Sequence, residues 1–267
     1  MDSQGILNQT RYTQPCMVAF AAGLTAVLKE QGIVPSAAAG LSLGEYSALH
    51  AAGVFDAATA VKLVAFRGKA MEEAAAGRPS AMMAVLGLDR APLQAACDQA
   101  SALGCVVIAN YNCPGQLVIG GEKAAVEQAA TLAKEAGARR CLPLKVSGPF
   151  HSKLLTGAGE KLAGMLETVP VRNLQIPYVC NLEARIVEDK EEVKPLLVGQ
   201  ISGPVRFRES ILALADRGVD TFVEMGPGKT LNGFIRKICP EAVVYNVEKV
   251  EDLEVLKAAL CAGKEQA

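Results

Sequence analysis

Apolar residues return every three or four positions along several stretches of the chain. Short continuous apolar runs lie between them, and this alternation predicts helices interleaved with buried strands. Thr13-Gln14-Pro15 reads as a helix start, with Thr13 as cap and Pro15 in the first turn, and Gly32 as its stop. Val34–Leu41 reads as a short buried strand, Leu43–Ala52 as a helix, and Asp56 as the cap of a longer helix over Ala57–Ala76.

From Ser80 the rhythm changes. Ala81–Leu86 is strand-like, Pro92–Leu103 helical, Val106–Ala109 and Leu117–Ile119 strand-like, Lys123–Ala136 helical, and Arg139–Leu144 strand-like. The order β-α-β-β-α-β is that of a ferredoxin-like unit, here expected as an inserted small subdomain. Beyond Val146, strands are expected at Tyr178–Cys180 and Thr221–Glu224, and helices at Leu155–Glu167 and Phe207–Arg217. A last amphipathic helix that frays is expected within Glu248–Ala267.

Composition narrows the function classes. The 267 residues are 51% hydrophobic, enough for a sizeable core. Lys plus Arg number 27 against 28 Asp plus Glu, so bulk charge does not suit nucleic acid. Aromatics are 4% with no Trp, which argues against stacking platforms for single strands. The apolar run Cys16–Leu28 is too short to cross a bilayer. None of the eight Cys forms a C-x-x-C pair, and two His are too few for a usual Cys/His zinc site. No metal is expected, and the thiols read as core residues in a reducing cytoplasm.

Gly40-Leu41-Ser42-Leu43-Gly44 matches G-x-S-x-G between an expected strand and an expected helix, the context of a nucleophile elbow. Gly40 and Gly44 are expected to let neighbouring backbone approach, and the Leu43 N–H at the helix N-terminus is placed to stabilise an oxyanion. The bland alternative is a tight turn with an idle Ser. A Ser nucleophile needs a base. His50 lies two turns along the same helix and reads as a packing or surface residue, so His151, in the loop Val146–Ser152, is the candidate. Arg67 has apolar neighbours at helical spacing, and either snorkels to water or meets a bound carboxylate. Gly226-Pro227-Gly228-Lys229-Thr230 imitates a phosphate loop, but Val223 stands where its first Gly is needed, so a strand-to-helix turn is expected.

Gly40–Leu49, Arg67-Gly68 with Met71, Asn110–Gly120, Val146–Ser152, Gln200–Phe207 and Glu224–Lys229 together resemble the malonyl-CoA:acyl carrier protein transacylase family of bacterial type II fatty acid synthesis. The resemblance implies an α/β-hydrolase-like parallel sheet subdomain over residues 1–78 and 146–267, with the ferredoxin-like subdomain over 79–145. It implies that Ser42 carries the malonyl group and His151 is its base. It further implies that Arg67 pairs with the malonyl carboxylate and that the Gln200 backbone carbonyl orients His151. Asn110, Asn112 and Phe150 would line the pocket, and Phe150 would disfavour a branched malonyl group. Malonyl-CoA and acyl carrier protein are the implied partners, in the cytoplasm, with no resident cofactor, no nucleic acid and no membrane.

Two departures stand out. Leu41 replaces the family's usual His before the nucleophile. Nothing before Thr10 matches the family's first strand and Gly-Gln-Gly loop, whose Gln N–H completes the oxyanion hole. The chain is therefore expected to begin inside the domain and to be weakly active. The rival readings are a serine hydrolase or thioesterase, and a truncated non-catalytic remnant that binds carrier protein.

Overall fold

A computed structural model describes residues 5–146 and 148–264. The first helix, α1 (Thr10–Glu30), leads through an extended segment to α2 (Gly44–Ala51) and α3 (Ala57–Ala75). Asp56 caps α3, its carboxylate accepting the Thr59 N–H at 2.8 Å. The α1 helix starts four residues earlier than its cap signal suggests, and Pro15 falls beyond its first turn. Packing decides this: Gln14, Val18, Ala21 and Ala22 are buried on one face of α1. Gly68 of α3 lets that face come close, since a Cβ there would meet the Thr10 carbonyl at 3.0 Å. The Thr13 hydroxyl donates back to the Gln9 carbonyl at 3.0 Å instead of capping forward.

A four-stranded sheet follows, from β1 (Ser80–Leu86), β2 (Val106–Cys113), β3 (Gln116–Glu122) and β4 (Arg140–Pro143), with α4 (Arg90–Ala100) and α5 (Lys123–Glu135). Its order, β2-β3-β1-β4, is antiparallel throughout, which is the ferredoxin-like arrangement expected from the element sequence. Both helices cover one face, where Leu93, Cys97, Val126 and Ala129 meet Val85, Ile108 and Ile119.

The remaining elements are α6 (Thr156–Glu167), β5 (Tyr178–Val179), β6 (Ile186–Val187), α7 (Val193–Ser202), α8 (Phe207–Ala215), β7 (Thr221–Met225), α9 (Thr230–Ile238), β8 (Val243–Val247) and α10 (Val250–Lys264). Of the expected tail helix, residues 265–267 lie outside the described residues. Strands β7 and β8 pair in parallel, as an α/β-hydrolase-like sheet requires. Val34–Leu41 is not a regular strand. It makes one parallel bridge, Ala38 to Tyr178, and Val34 beside Pro35 is 68% exposed. The Ala38 N–H donates to the Pro177 carbonyl and the Val179 N–H to the Ala38 carbonyl, each at 3.0 Å. This short pairing leads directly into the turn Gly40 to Leu43 that precedes α2.

The largest core cluster joins α2, α3, α6 and α7 through Tyr46, Leu49, Phe55, Leu63, Leu162 and Leu197. Burying each such side chain contributes about 1.5–3 kcal/mol. The small sheet is tied to this body where β2 runs past Val205: Tyr111 N–H donates to the Val205 carbonyl at 2.8 Å, and Val205 N–H to the Ala109 carbonyl at 2.9 Å. Among the described residues, no helix is long and apolar enough to cross a membrane.

Candidate active site

The turn between the Ala38 bridge and α2 is sharp. Ser42 has φ +54°, a left-handed conformation that is strained for a residue with a Cβ. Gly40 is required: a Cβ there would lie 2.0 Å from the Gly44 carbonyl carbon. Gly44 is not required in the same way. A Cβ at Gly44 meets nothing within 4 Å, so the expectation that both glycines admit close backbone holds only for Gly40. Two side-chain amides hold the strained turn. Asn181 accepts the Ser42 N–H on Oδ1 at 2.6 Å and donates from Nδ2 to the Gly40 carbonyl at 2.6 Å. Gln200 Nε2 donates to the Ser42 carbonyl at 2.9 Å.

Ser42 Oγ lies 2.7 Å from His151 Nε2, and His151 Nδ1 lies 2.9 Å from the Gln200 carbonyl oxygen. A carbonyl only accepts, so Nδ1 carries the proton and the Nε2 lone pair faces the Ser42 hydroxyl. His151 is itself at φ +60° and is buried. Burial, and then the charge of Arg67, push its pKa down to about 4, against the raising effect of the backbone bonds. The imidazole is therefore neutral at pH 7 and free to take a proton.

Arg67 does not snorkel. It is 1% exposed, on the inner face of α3. One terminal nitrogen donates to Gln14 Oε1 at 2.8 Å; the other donates to Gln200 Oε1 at 3.0 Å and to Ser42 Oγ at 3.2 Å. The guanidinium also stands over the Tyr46 ring, 5.3 Å from its centroid. Its Nε has no partner among the described residues. Burial lowers its pKa, opposed by Tyr46 and Glu45. Ser42 Oγ thus accepts from a cation while its own hydrogen points at His151, an arrangement that favours loss of that hydrogen.

Leu43 is the N-cap of α2, and its N–H has no acceptor among the described residues. His50 is separate from this cluster, its Nδ1 lying 2.9 Å from the Phe55 carbonyl. Asp56 caps α3, Asp89 precedes α4, and Asp98 accepts from Gln94 at 2.8 Å, so none of the three aspartates between Ser42 and His151 in sequence orients the imidazole. Asn110 and Asn112 are buried on β2, with Asn112 Oδ1 unpartnered among the described residues. Phe150 packs on Met82, Ala84, Ala109 and Val118 of the small sheet.

Four contributors escaped the sequence reading: Gln14, Glu45, Tyr46 and Asn181. The signal for Glu45 was present but ambiguous, because a carboxylate in the first turn of a helix is ordinary dipole pairing. Here it points inward. Its Oε2 accepts from Gln200 Nε2 at 2.7 Å and from the Asn181 N–H at 3.1 Å. Burial pushes its pKa up to about 7, with the bonds from Asn181 and Gln200 and the charge of Arg67 opposing. The Gly226–Thr230 turn joins β7 to α9, and Glu224 already fills the helix N-terminus. Its carboxylate accepts the Leu231 and Asn232 N–H groups at 3.0 and 2.7 Å. An anion site is not free there.

A family model described as an acyl transferase domain matches residues 1–256. The malonyl CoA-acyl carrier protein transacylase of Bacillus subtilis is 42% identical over 250 residues, covering 93% of this chain and 79% of that protein. The protein of the same name from Haemophilus influenzae is 41% identical, over 95% of this chain and 82% of its own length. Among solved structures, MCAT from Streptococcus pneumoniae aligns with a TM-score of 0.92 at 47% identity, over 97% of this chain and 84% of that one. A malonyl-transacylase in complex with a type II PKS acyl-carrier protein aligns with a TM-score of 0.90 at 40% identity, over 93% of this chain and 81% of that one.

Proposed function

The chain belongs to the acyl transferase domain family, and from that premise we propose that it moves a malonyl group from malonyl-CoA to the phosphopantetheine thiol of acyl carrier protein through an ester on Ser42. The observation that carries this reading is the line Ser42 Oγ, His151 Nε2, His151 Nδ1, Gln200 carbonyl, with steps of 2.7 and 2.9 Å. It supplies an activated hydroxyl and a neutral base of fixed tautomer.

The reaction runs in two halves. His151 Nε2 takes the Ser42 proton as Oγ attacks the malonyl-CoA thioester carbon. The Leu43 N–H donates to the tetrahedral oxyanion, and one such donor is worth about 10²–10³ in turnover. His151 returns the proton to the departing CoA sulfur, and malonyl-Ser42 remains. The carrier-protein thiol then enters, loses its proton to His151 and attacks the ester carbonyl. The Ser42 oxygen leaves and regains the proton from His151. A thioester is already activated, so these steps call on no resident cofactor.

Arg67 selects the acyl group. An incoming carboxylate is a stronger acceptor than the amide oxygens of Gln14 and Gln200 and displaces one of them to take two N–H groups of the fork. A buried cation gains most from an opposite charge, so an acyl group with no carboxylate leaves Arg67 with only the weaker neutral acceptors of Gln14, Gln200 and Ser42. The cytoplasm is the compartment we assign, on the chemistry of CoA and carrier-protein thiols. Free Cys97, Cys113 and Cys180, all buried and without disulfides, agree with it.

The test is to supply malonyl-CoA with and without carrier protein and to compare transfer with hydrolysis. Transfer to the carrier thiol that greatly exceeds hydrolysis is the expected result. Hydrolysis unaffected by carrier protein would make the chain a thioesterase, and neither reaction would make it a non-catalytic binder.

A further inference from the structure

Malonyl transfer as proposed uses Ser42, His151 and Arg67 and leaves the buried carboxyl beside them without a task. Glu45 is 0% exposed, and retaining a carboxyl at such a position is costly. Its two partners, Gln200 and Asn181, are the residues that hold the reactive groups in place. Asn181 grips the Ser42 N–H and the Gly40 carbonyl, while Glu45 holds the Asn181 main chain.

Gln200 is the more telling partner. Its side-chain amide lies between groups of opposite charge. The NH₂ end donates to Glu45 Oε2 at 2.7 Å, and the oxygen end accepts from Arg67 at 3.0 Å. A half-turn of that amide would set oxygen against carboxyl and NH₂ against guanidinium. Two attractive contacts would become two repulsive ones. The same NH₂ also reaches the Ser42 carbonyl at 2.9 Å. Glu45 therefore enforces the amide orientation that Arg67 requires.

We propose that Glu45 is a positioning residue for acyl transfer: through the Gln200 amide it sets the Arg67 guanidinium to receive an acyl carboxylate beside Ser42. The inference rests on the malonyl-transfer reading above. Glu45 touches neither substrate nor reacting atoms, and acts only through Gln200 and Asn181.

The titratable and charged groups facing Glu45 are Arg67 from α3, Tyr46 of its own helix, Tyr178 of β5 and Cys180 just beyond it. Burial holds the Glu45 pKa at about 7. Ionised, it makes a charge-assisted bond to Gln200; protonated, it accepts on the same oxygen at roughly half the strength. The KM for malonyl-CoA is expected to fall as pH rises through 7, while the KM for acetyl-CoA stays level. Acetyl-CoA carries the same CoA phosphates and so controls for their titration. His151, with its pKa at about 4, is neutral across this window.

The experiment measures kcat and KM for both thioesters against pH in the wild type, Glu45→Gln and Glu45→Ala. Glutamine keeps an oxygen for both donors but cannot ionise. Glu45→Gln is expected to hold the malonyl KM at its low-pH value throughout, about fivefold above wild type at alkaline pH, with the acetyl KM changing less and showing no pH dependence of its own. Glu45→Ala leaves the Gln200 NH₂ held by the Ser42 carbonyl without its carboxyl acceptor and is expected to raise the malonyl KM at least about tenfold, most of it recovered by glutamine. If the alanine variant does not fold, the glutamine pH profile decides alone. A wild-type pH dependence in Glu45→Gln, or equal KM increases for malonyl-CoA and acetyl-CoA, overturns the proposal. A wild type that transfers no malonyl at all refutes the transfer reading itself, a separate and recognisable outcome.

Discussion

Replacing Arg67 by alanine removes three hydrogen bonds at once: those to Gln14 at 2.8 Å, to Gln200 at 3.0 Å and to Ser42 Oγ at 3.2 Å. The scaffold around it keeps its other bonds, since Gln200 Nε2 still reaches Glu45 and the Ser42 carbonyl, and Asn181 still grips the turn. Truncating one partner of a buried, hydrogen-bonded charge pair costs about 2–5 kcal/mol. For malonyl-CoA that is a fall in kcat/KM of between about 30-fold and a few thousandfold. Acetyl-CoA makes no such pair and loses only the Arg67 bond to Ser42 Oγ, a loss that malonyl-CoA shares, so the ratio of the two rates isolates the carboxylate pair. The preference for malonyl over acetyl should collapse by at least about 30-fold.

A second consequence follows from charge alone. The guanidinium is the second cause, after burial, of the low His151 pKa, so its loss lets that pKa rise from about 4 towards the ordinary value. The acid limb of Ser42 labelling by a fluorophosphonate, which needs neutral His151 but no acyl carboxylate, moves to higher pH. Arg67→Lys separates the two effects: it keeps the charge near His151 and loses the two-pronged grip, so the acid limb stays low while malonyl preference falls. Steady-state kinetics with both thioesters and a labelling pH series suffice. Unchanged acyl preference in Arg67→Ala removes Arg67 from the site, and an unmoved acid limb removes its electrostatic hold on His151.

Two further outcomes follow from the same geometry. In the wild type, fluorophosphonate labelling of Ser42 should be level from about pH 5 to pH 8 and fall only towards pH 4, because a base with a pKa of about 4 loses its lone pair only there; a limb near pH 6.5 would show that His151 is neither buried nor beside a cation. Gly40→Ala drives a Cβ to 2.0 Å from the Gly44 carbonyl carbon, whereas Gly44→Ala meets nothing within 4 Å. The first should abolish labelling and the second leave most of it, as in-gel fluorescence would show; equal effects would mean that the turn is not shaped as described.

Much of this fold was legible because local rules and burial agree. Asp56 at the head of α3, and the β-α-β-β-α-β run from Ser80, are signals that packing reinforces. The reading failed where distant contacts override local preference. Thr13 and Pro15 mark a helix start, yet burial of Gln14 and Val18 against α3 carries α1 back to Thr10. Val34–Leu41 has strand composition, but only Ala38 has a bridging partner. Ile186–Val187 gave too short a signal to read as a strand. In the site, Ser42, His151, Arg67 and Gln200 stand out by motif, and the structure brings them within hydrogen-bond reach of one another. Glu45 and Asn181 did not stand out, because their task is set by partners more than a hundred residues away in sequence.

Every step of the proposed transfer passes through one strained serine. Intact-mass analysis after brief exposure to malonyl-CoA, followed by peptide mapping, tests it most directly. The expected result is a single malonyl adduct on Ser42 that disappears on adding carrier protein and never forms in Ser42→Ala. An adduct that persists in Ser42→Ala, or one that maps elsewhere in the wild type, would contradict the account.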